Sequence, residues 1–315
     1  MELFQYKFSY HGKGSELFRI RIVNAILCIF TLGLYYPWAK AKTLQYMYSQ
    51  TAFQEQPFAF TGTGKEMFKG FLKLLAFIAV FYGVLFGCVL SNHPVIGVLF
   101  CYAMAFTVIP FAFHGFFKYR MAKTKWQGIN FHYDGKLAEI FAIFLKGIFF
   151  TIITFGIYGA WLITDLRRYI MSHVKIGDAS INYTAEGSDF FLMNLKGYLL
   201  TLFTLGIYYF WWKKDQYDFF IAHTNMTKND KIVILKTNVG GGDFASLIIL
   251  NFLLIVFTLG LGTAWAITRQ MEFYTKFIDV YGDLDFNELQ QISSDDYNNA
   301  AGDDLAGVLD IGAII

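Results

Sequence analysis

The sequence predicts an all-α integral membrane protein, with about six hydrophobic helices drawn from tandem repeats of about fifty residues and short β-hairpins in the linkers. Three observations predict it. The chain of 315 residues is 56% hydrophobic, 20% aromatic and only 16% charged, with mean hydropathy +0.42, whereas soluble domains are about 25% charged. Six apolar stretches approach the roughly 20 residues that a bilayer-crossing helix needs. A nine-residue box recurs five times in near-constant register. So large an apolar surplus cannot be hidden inside a globule of this size. A disordered chain, a disulfide scaffold and an ordinary cytosolic enzyme are excluded.

The elements follow in order. Phe4, Tyr6, Phe8 and Tyr10 alternate with polar residues, as in a half-buried strand. The apolar stretches cover residues 18–38, 67–90, 94–117, 141–164, 191–212 and 244–267. The second and third are the longest, and the break Ser91-Asn92-His93-Pro94 makes them a transmembrane hairpin. The other four carry polar residues near their entry and a Gly near their far end, followed by aromatic clusters suited to the membrane interface. Between them, TAFQEQPFAFT, GINFHYDG, VKIGDASINYT, KIVILKT and VYGDLDF alternate in the manner of short hairpin strands. The N-terminus lacks a basic segment leading into an apolar core, so no cleavable signal peptide is expected.

The box reads YHGKGSELF from Tyr10, FTGTGKEMF from Phe60, YDGKLAEIF from Tyr133, YTAEGSDFF from Tyr183 and KTNVGGGDF from Lys236. Phe18 to Trp38, Phe141 to Trp161 and Phe191 to Trp211 share one spacing, and Phe244 to Trp265 is one residue longer. A Thr-Leu-Gly or Thr-Phe-Gly phrase precedes each Trp, at Thr31, Thr154, Thr204 and Thr258. The second unit is longer by about one helix, and its Pro110-Phe111 replays Pro37-Trp38. The units therefore span residues 10–59, 60–132, 133–182, 183–235 and 236–290, one repeat-built membrane domain over 1–290. A flexible tail, acidic and then apolar, is expected over 291–315.

With these phrases in view, FSYHGKGSELFRIRIVNAILCIFTLGLYYPWAKAK resembles the YjgN family of bacterial inner-membrane proteins, and the repeated boxes carry the resemblance along nearly the whole chain. It implies a multi-pass protein of the bacterial cytoplasmic membrane with no assigned activity and no catalytic residues to carry over. It also points to a membrane-associated metallopeptidase as a partner.

Two topologies compete. Six plain spans, the commoner arrangement, would divide the linker Lys and Arg unequally between the two sides. Alternatively, the four Thr-Leu/Phe-Gly units are re-entrant hairpins and only the expanded unit crosses, which leaves every linker cation on one side. Irregular backbone in lipid must then be satisfied within the protein. Six spans are the expectation.

Chemistry is mostly sought and not found. No metalloprotease, nucleophile-elbow, Walker or dinucleotide motif occurs in context, and Gly240-Gly241-Gly242 lacks the following Lys-Ser/Thr of a phosphate loop. Cys28, Cys88 and Cys101 lie in apolar stretches and read as packing. His173 and His223 share one repeat position, a polar interfacial place that Gln50 and Phe277 fill elsewhere. Neither a catalytic nor a metal site is expected, nor a cofactor, and net charge +2 gives no field for nucleic acid.

Asn24, Asn194 and Asn251 are the candidate intramembrane polar residues, read first as hydrogen-bonded glue between helices. Arg19, Arg21, Lys146 and Lys196 stand near segment ends, where they can snorkel. Lys40, Lys42, Arg167, Arg168, Lys213 and Lys214 follow the membrane exits and are the candidate contacts to lipid headgroups. In the tail, Leu305, Val308, Leu309, Ile311 and Ile314 recur at roughly helical spacing and are the candidate partner-docking face. The functional expectation is a non-enzymatic membrane scaffold or partner-binding protein, the alternative a transporter or channel for a small or lipidic solute.

Overall fold

The computed structural model describes residues 4–291 and 299–308. The chain alternates strands with helical hairpins: β1 (Phe4–Tyr10), α1 (Gly14–Phe30), α2 (Tyr36–Gln50), β2 (Thr51–Phe53), β3 (Gln56–Phe60), α3 (Gly64–Leu90), α4 (Pro94–Lys123), β4 (Thr124–Trp126) and β5 (Ile129–Tyr133). The pattern continues with α5 (Leu137–Ile153), α6 (Gly159–Ser172), β6 (Val174–Ile176), β7 (Ala179–Tyr183), α7 (Gly187–Phe203), α8 (Tyr209–Ala222), β8 (Thr224–Lys228), β9 (Lys231–Thr237), α9 (Gly241–Phe257), α10 (Thr263–Lys276) and β10 (Ile278–Gly282). A 3₁₀ turn at Phe286–Glu288 and α11 (Ala301–Val308) follow.

This corrects the all-α expectation. The linker hairpins are not separate. Their ten strands join side by side into one closed antiparallel barrel in the order β1-β10-β9-β8-β7-β6-β5-β4-β3-β2, and β1 also pairs with β2. Short strands leave backbone groups unpaired at any open edge, and closure removes the edge. Nor are there about six spans. Among the described residues two helices, Gly64–Leu90 and Pro94–Lys123, are long and apolar enough to cross a membrane. The other four apolar stretches each fold back as a hairpin of two shorter helices.

In an antiparallel barrel, successive connections fall at alternate rims. One rim carries the two-residue turns, at Gln54-Glu55, Gln127-Gly128, Gly177-Asp178 and Asn229-Asp230. In three of these turns both residues have positive φ, the backbone twist that matches paired strands. The opposite rim carries all five helical hairpins. The helices also pack in chain order from α1 to α10, and α10 returns to α1, so a helical ring closes above the barrel.

The recurring box is the clasp of this ring. Its first aromatic ends a strand and folds over the residue two places on; a Cβ on Gly12 would lie 2.2 Å from the Tyr10 hydroxyl oxygen. A Gly of the box opens the next helix against the Trp of the preceding unit, Gly64 on Trp38, Gly187 on Trp161 and Gly241 on Trp211. The closing Phe packs on the same indole, with Phe68–Trp38 and Phe191–Trp161 ring centroids 5.0 and 5.7 Å apart. Where the expanded unit has Phe111 in place of Trp, the following box has Leu137 in place of Gly.

Inside the barrel, register places Phe8 opposite Phe53, Phe58 opposite Trp126, Phe131 opposite Ile176, Ile181 opposite Met226 and Leu235 opposite Val280. Opposed residues share a face, so each strand gives one side chain to an apolar belt around the lumen. Leu284, Phe286 and Leu289 then plug the turn rim. The plug is tied by its main chain: the Tyr6 hydroxyl donates to the Leu284 carbonyl at 2.8 Å and Lys228 Nζ to the Glu288 carbonyl at 2.7 Å. The Gln290 N–H donates to Asp178 at 3.1 Å, and Asp178 pairs with Lys228 at 2.7 Å.

Candidate functional site

The most distinctive surface is the far end of the helical ring. In the four short hairpins the Thr-Leu/Phe-Gly phrase makes the turn. Leu32 and Gly33 take φ +51° and +88°, and the other three turns repeat the pair. Glycine takes such a φ without penalty, and the preceding Leu or Phe pays about 1–2 kcal/mol for it. The turn leaves little backbone unsatisfied. Thr31 Oγ1 donates to the Leu27 carbonyl at 2.7 Å and accepts from the Tyr35 N–H at 3.0 Å, while the Gly33 N–H reaches the Cys28 carbonyl at 2.7 Å. Thr154, Thr204 and Thr258 accept in the same way from Tyr158, Tyr208 and Gly262. At the tips Leu32, Phe155, Leu205 and Leu259 are 94%, 98%, 95% and 94% exposed.

Below each tip a cation marks a common depth. Arg21, Lys146 and Lys196 on the ascending helices and Arg269 on α10 lie nine to eleven residues from their tips, about 13–17 Å along a helix. Along these arms no charged residue intervenes before the tips, on the descending arms Lys40 and Lys213 lie eight residues from theirs, and none falls between Lys73 and Lys118 in the expanded hairpin.

The three predicted asparagines lie inside the hairpins and bond within them. Asn24 Nδ2 donates to the Ala39 carbonyl and Asn251 Nδ2 to the Ala266 carbonyl, both at 3.3 Å. In the two intervening short hairpins the position of Asn24 is Gly147 or Gly197, and that of Ala39 is Leu162 or Trp212, packed closely on the glycine. Asn194 sits one turn earlier and accepts from Trp212 Nε1 at 3.0 Å and Gln216 Nε2 at 2.7 Å.

Of the predicted headgroup contacts, most are engaged by the protein itself. Lys42 is exposed and donates to the Tyr35 hydroxyl at 2.9 Å. Arg167 lies over the Phe220 and Tyr183 rings, 4.3 and 5.3 Å from their centroids. Arg168 pairs with Asp165 at 3.0 Å, Lys213 donates to Gln216, and Lys214 pairs with Asp218 at 2.6 Å.

Lys40 is drawn into a buried ion cluster that sequence reasoning missed. Asp303 of α11 is fully buried and meets Lys40 Nζ at 2.6 Å and Arg120 Nε at 2.5 Å, while Lys40 also meets Asp304 at 2.9 Å. Burial would raise the Asp303 carboxyl, but Arg120 and Lys40 outweigh it and hold the group below its usual range. Burial instead pushes Asp304 up. Lys40 is raised: desolvation acts to lower it, and the two carboxylates prevail. The helix can come this close because Gly302 meets Gly115 with neither carrying a Cβ. Leu305 packs on the chain's own core, Val308 ends α11, and Leu309, Ile311 and Ile314 lie outside the described residues. The signal available in the sequence was an acidic pair, Asp303-Asp304, directly after a glycine where the acidic tail turns apolar.

His173 and His223 end α6 and α8, each Nδ1 within hydrogen-bond distance of the carbonyl four residues earlier, at 2.6 and 2.8 Å. Among the described residues no three His, Cys, Asp or Glu side chains are grouped to hold a metal ion.

A family model described as a bacterial protein of unknown function, DUF898, matches residues 5–196 and 225–308. The inner membrane protein YjgN of Salmonella typhimurium is 31% identical over 123 residues, 39% of this chain and 30% of that protein. Its namesakes in Escherichia coli O157:H7 and K12 are 30% and 29% identical over 134 residues, 42% of this chain and 32% of theirs. The match thus spans about a third of these relatives' length. No solved structure matches.

Proposed function

The chain belongs to the DUF898 family of bacterial proteins of unknown function, and from that premise we propose that it is a non-enzymatic inner-membrane scaffold, held by one spanning hairpin and four half-inserted ones. The observation that carries this is the common depth of the cations. A bilayer hydrocarbon core is about 30 Å thick, so a tip about 13–17 Å from its cation reaches the midplane when the cation stands among headgroups. The charge-free stretch of α3 from Lys73 to Leu90 is about 26 Å long, which lets α3 and α4 cross once Lys73 snorkels to the headgroups. The Thr-capped turns suit a hairpin that ends in lipid, because their polar groups bond locally.

In this reading the barrel stands outside the hydrocarbon on the cytoplasmic side. Every linker Lys and Arg lies on the barrel side of the helices, whereas Ser91, Asn92 and His93 carry none. Lipids are the first partner. The turn rim, farthest from the bilayer, is the face offered to a protein partner, and a membrane-associated metallopeptidase is the first to test there by crosslinking from Gln54 and Asp230.

Cysteine accessibility in intact cells tests the architecture, using a variant otherwise free of cysteine. Cysteines at Gln54, Gly177 and Asp230 are expected to be protected alike, with labelling only at Asn92. Labelling of Gly177 opposed to Gln54 and Asp230 would establish alternating spans and end the proposal.

A further inference from the structure

We infer that the barrel lumen is a binding site for a small hydrocarbon group, of about the size of a benzene ring. The belt of one side chain per strand encloses a cavity of about 140 Å³. An apolar cavity of about 150 Å³ is large enough to take benzene or xenon and stays dry. The surface facing the space is apolar, with Phe58, Trp126 and Phe131 on one side and Ile181, Met226 and Val280 on the other; Thr224 and Asn225 also border it but turn no polar surface into it. Among the described residues no polar atom is exposed to the space to orient a polar ligand or hold water, so dispersion and burial select the occupant.

The fold argues that the space is built. Ten strands enclose more room than the eight whose side chains just fill a barrel or hold one small ligand. The chain meets the surplus with bulky rings and a plug. Phe286 of that plug stands edge-on to Phe53 and Trp126, with centroids 4.8 and 6.2 Å away, and forms the cavity floor. The plug is fastened by Tyr6, Lys228 and Asp178 through its main chain, so its apolar side chains are held in place without filling the lumen. Toward the helical rim the next layer in register is Tyr10, Phe60, Tyr133 and Tyr183, opposite Thr51, Thr124, Val174 and Thr224. With the plug at the turn rim, the site faces the helices that bury their apolar faces in lipid under the reading above. Its own chemistry does not depend on that reading.

The occupant is either the end of a lipid chain or a free small apolar molecule, and two arms separate them. In the first, benzene is titrated into the purified full chain in nanodiscs and followed by ligand-observed NMR. Saturable binding is expected, with at least a tenfold loss in Ile181→Phe, which fills the lumen. Val280→Leu, a smaller addition, reports in its place if Ile181→Phe does not fold. No saturable binding to the parent chain, or unchanged binding to both variants, overturns the inference. In the second arm, nanodiscs carry a phospholipid with a diazirine at its chain end. Labelling of residues 174–183 and 224–235 that benzene suppresses identifies a lipid chain. Benzene binding without such labelling identifies a free molecule. Failure of cysteine accessibility to show the same-sided topology would leave both arms readable.

Discussion

Trp265 in the last repeat lies against Gly14 in the first, so closely that a Cβ on Gly14 would stand 2.3 Å from the indole Cδ1. Phe18 packs on the same indole with ring centroids 5.1 Å apart. The contact that joins most consecutive units thus also joins the ends of the series, and four of the five joints in the ring are of this kind, the exception being Phe111 with Leu137. Gly14→Val is expected to destabilise by about 1–3 kcal/mol through overpacking, and Gly242→Val, where no atom lies within 4 Å, by less. Thermal unfolding in detergent reads both. Recovery of the Gly14→Val loss by Trp265→Ala would tie it to this contact; full additivity would not.

Within a hairpin, Asn24 with Ala39 and Gly197 with Trp212 solve one packing problem in two ways. Asn24→Leu removes the hydrogen bond and adds bulk, at about 1–3 kcal/mol. Gly197→Asn should cost as much while Trp212 is present and become tolerable with Trp212→Ala. Independence of the two changes in a double-mutant cycle would sink the idea.

Asp303 is expected to control the docking of α11. Asp303→Asn leaves Arg120 without its carboxylate and Lys40 with Asp304 alone, and should cost about 3–5 kcal/mol, the scale for breaking a buried pair. Because the folded carboxyl is held below its usual range, its contribution is present above the unfolded value of about 3.9. It is lost as pH falls through the folded value. Protection factors over residues 301–308, taken against the intrinsic exchange rate at each pH, should therefore fall at acid pH in the parent chain and already be low at neutral pH in Asp303→Asn. Equal protection in both chains would refute the assignment.

The plug should loosen with Asp178. Burial acts to raise this carboxyl, but hydrogen bonds from Lys228 and the Gln290 N–H hold it below the usual range. The direction with pH is therefore the same, toward loss in acid. Asp178→Asn keeps the shape, removes the ion pair and is expected to cost about 1–2 kcal/mol. Faster proteolysis within residues 283–291 would report it, whereas a change confined to the helices would not fit.

The hairpin tips give a test of depth. If Leu205 reaches the midplane, Leu205→Asp carries a charge there at about 2.5–3.5 kcal/mol. The same change at Leu32, Phe155 and Leu259 should compound until insertion fails. Recovery of the fourfold variant from the membrane at the parent level would mean that the tips do not enter lipid.

Much of this architecture was local enough to be legible in the chain. Box, Thr-Leu/Phe-Gly phrase and Trp report contacts that recur in the four short units, so their spacing set the expanded copy apart. The charge-free run around Ser91–Pro94 marked the long hairpin, because length and apolarity alone decide whether a helix can span. The tertiary structure decided what depends on partners far along the chain. A strand of three residues such as Thr51–Phe53 carries too little pattern to name its neighbour, and barrel closure joins β1 to β10 across nearly the whole sequence. Whether an apolar stretch crosses or turns back depends on two residues of backbone conformation, as at Leu32 and Gly33. Composition does not encode that difference. The burial of Lys40 against Asp303 was equally hidden, since each reads alone as a surface charge and only their meeting in space makes them a pair.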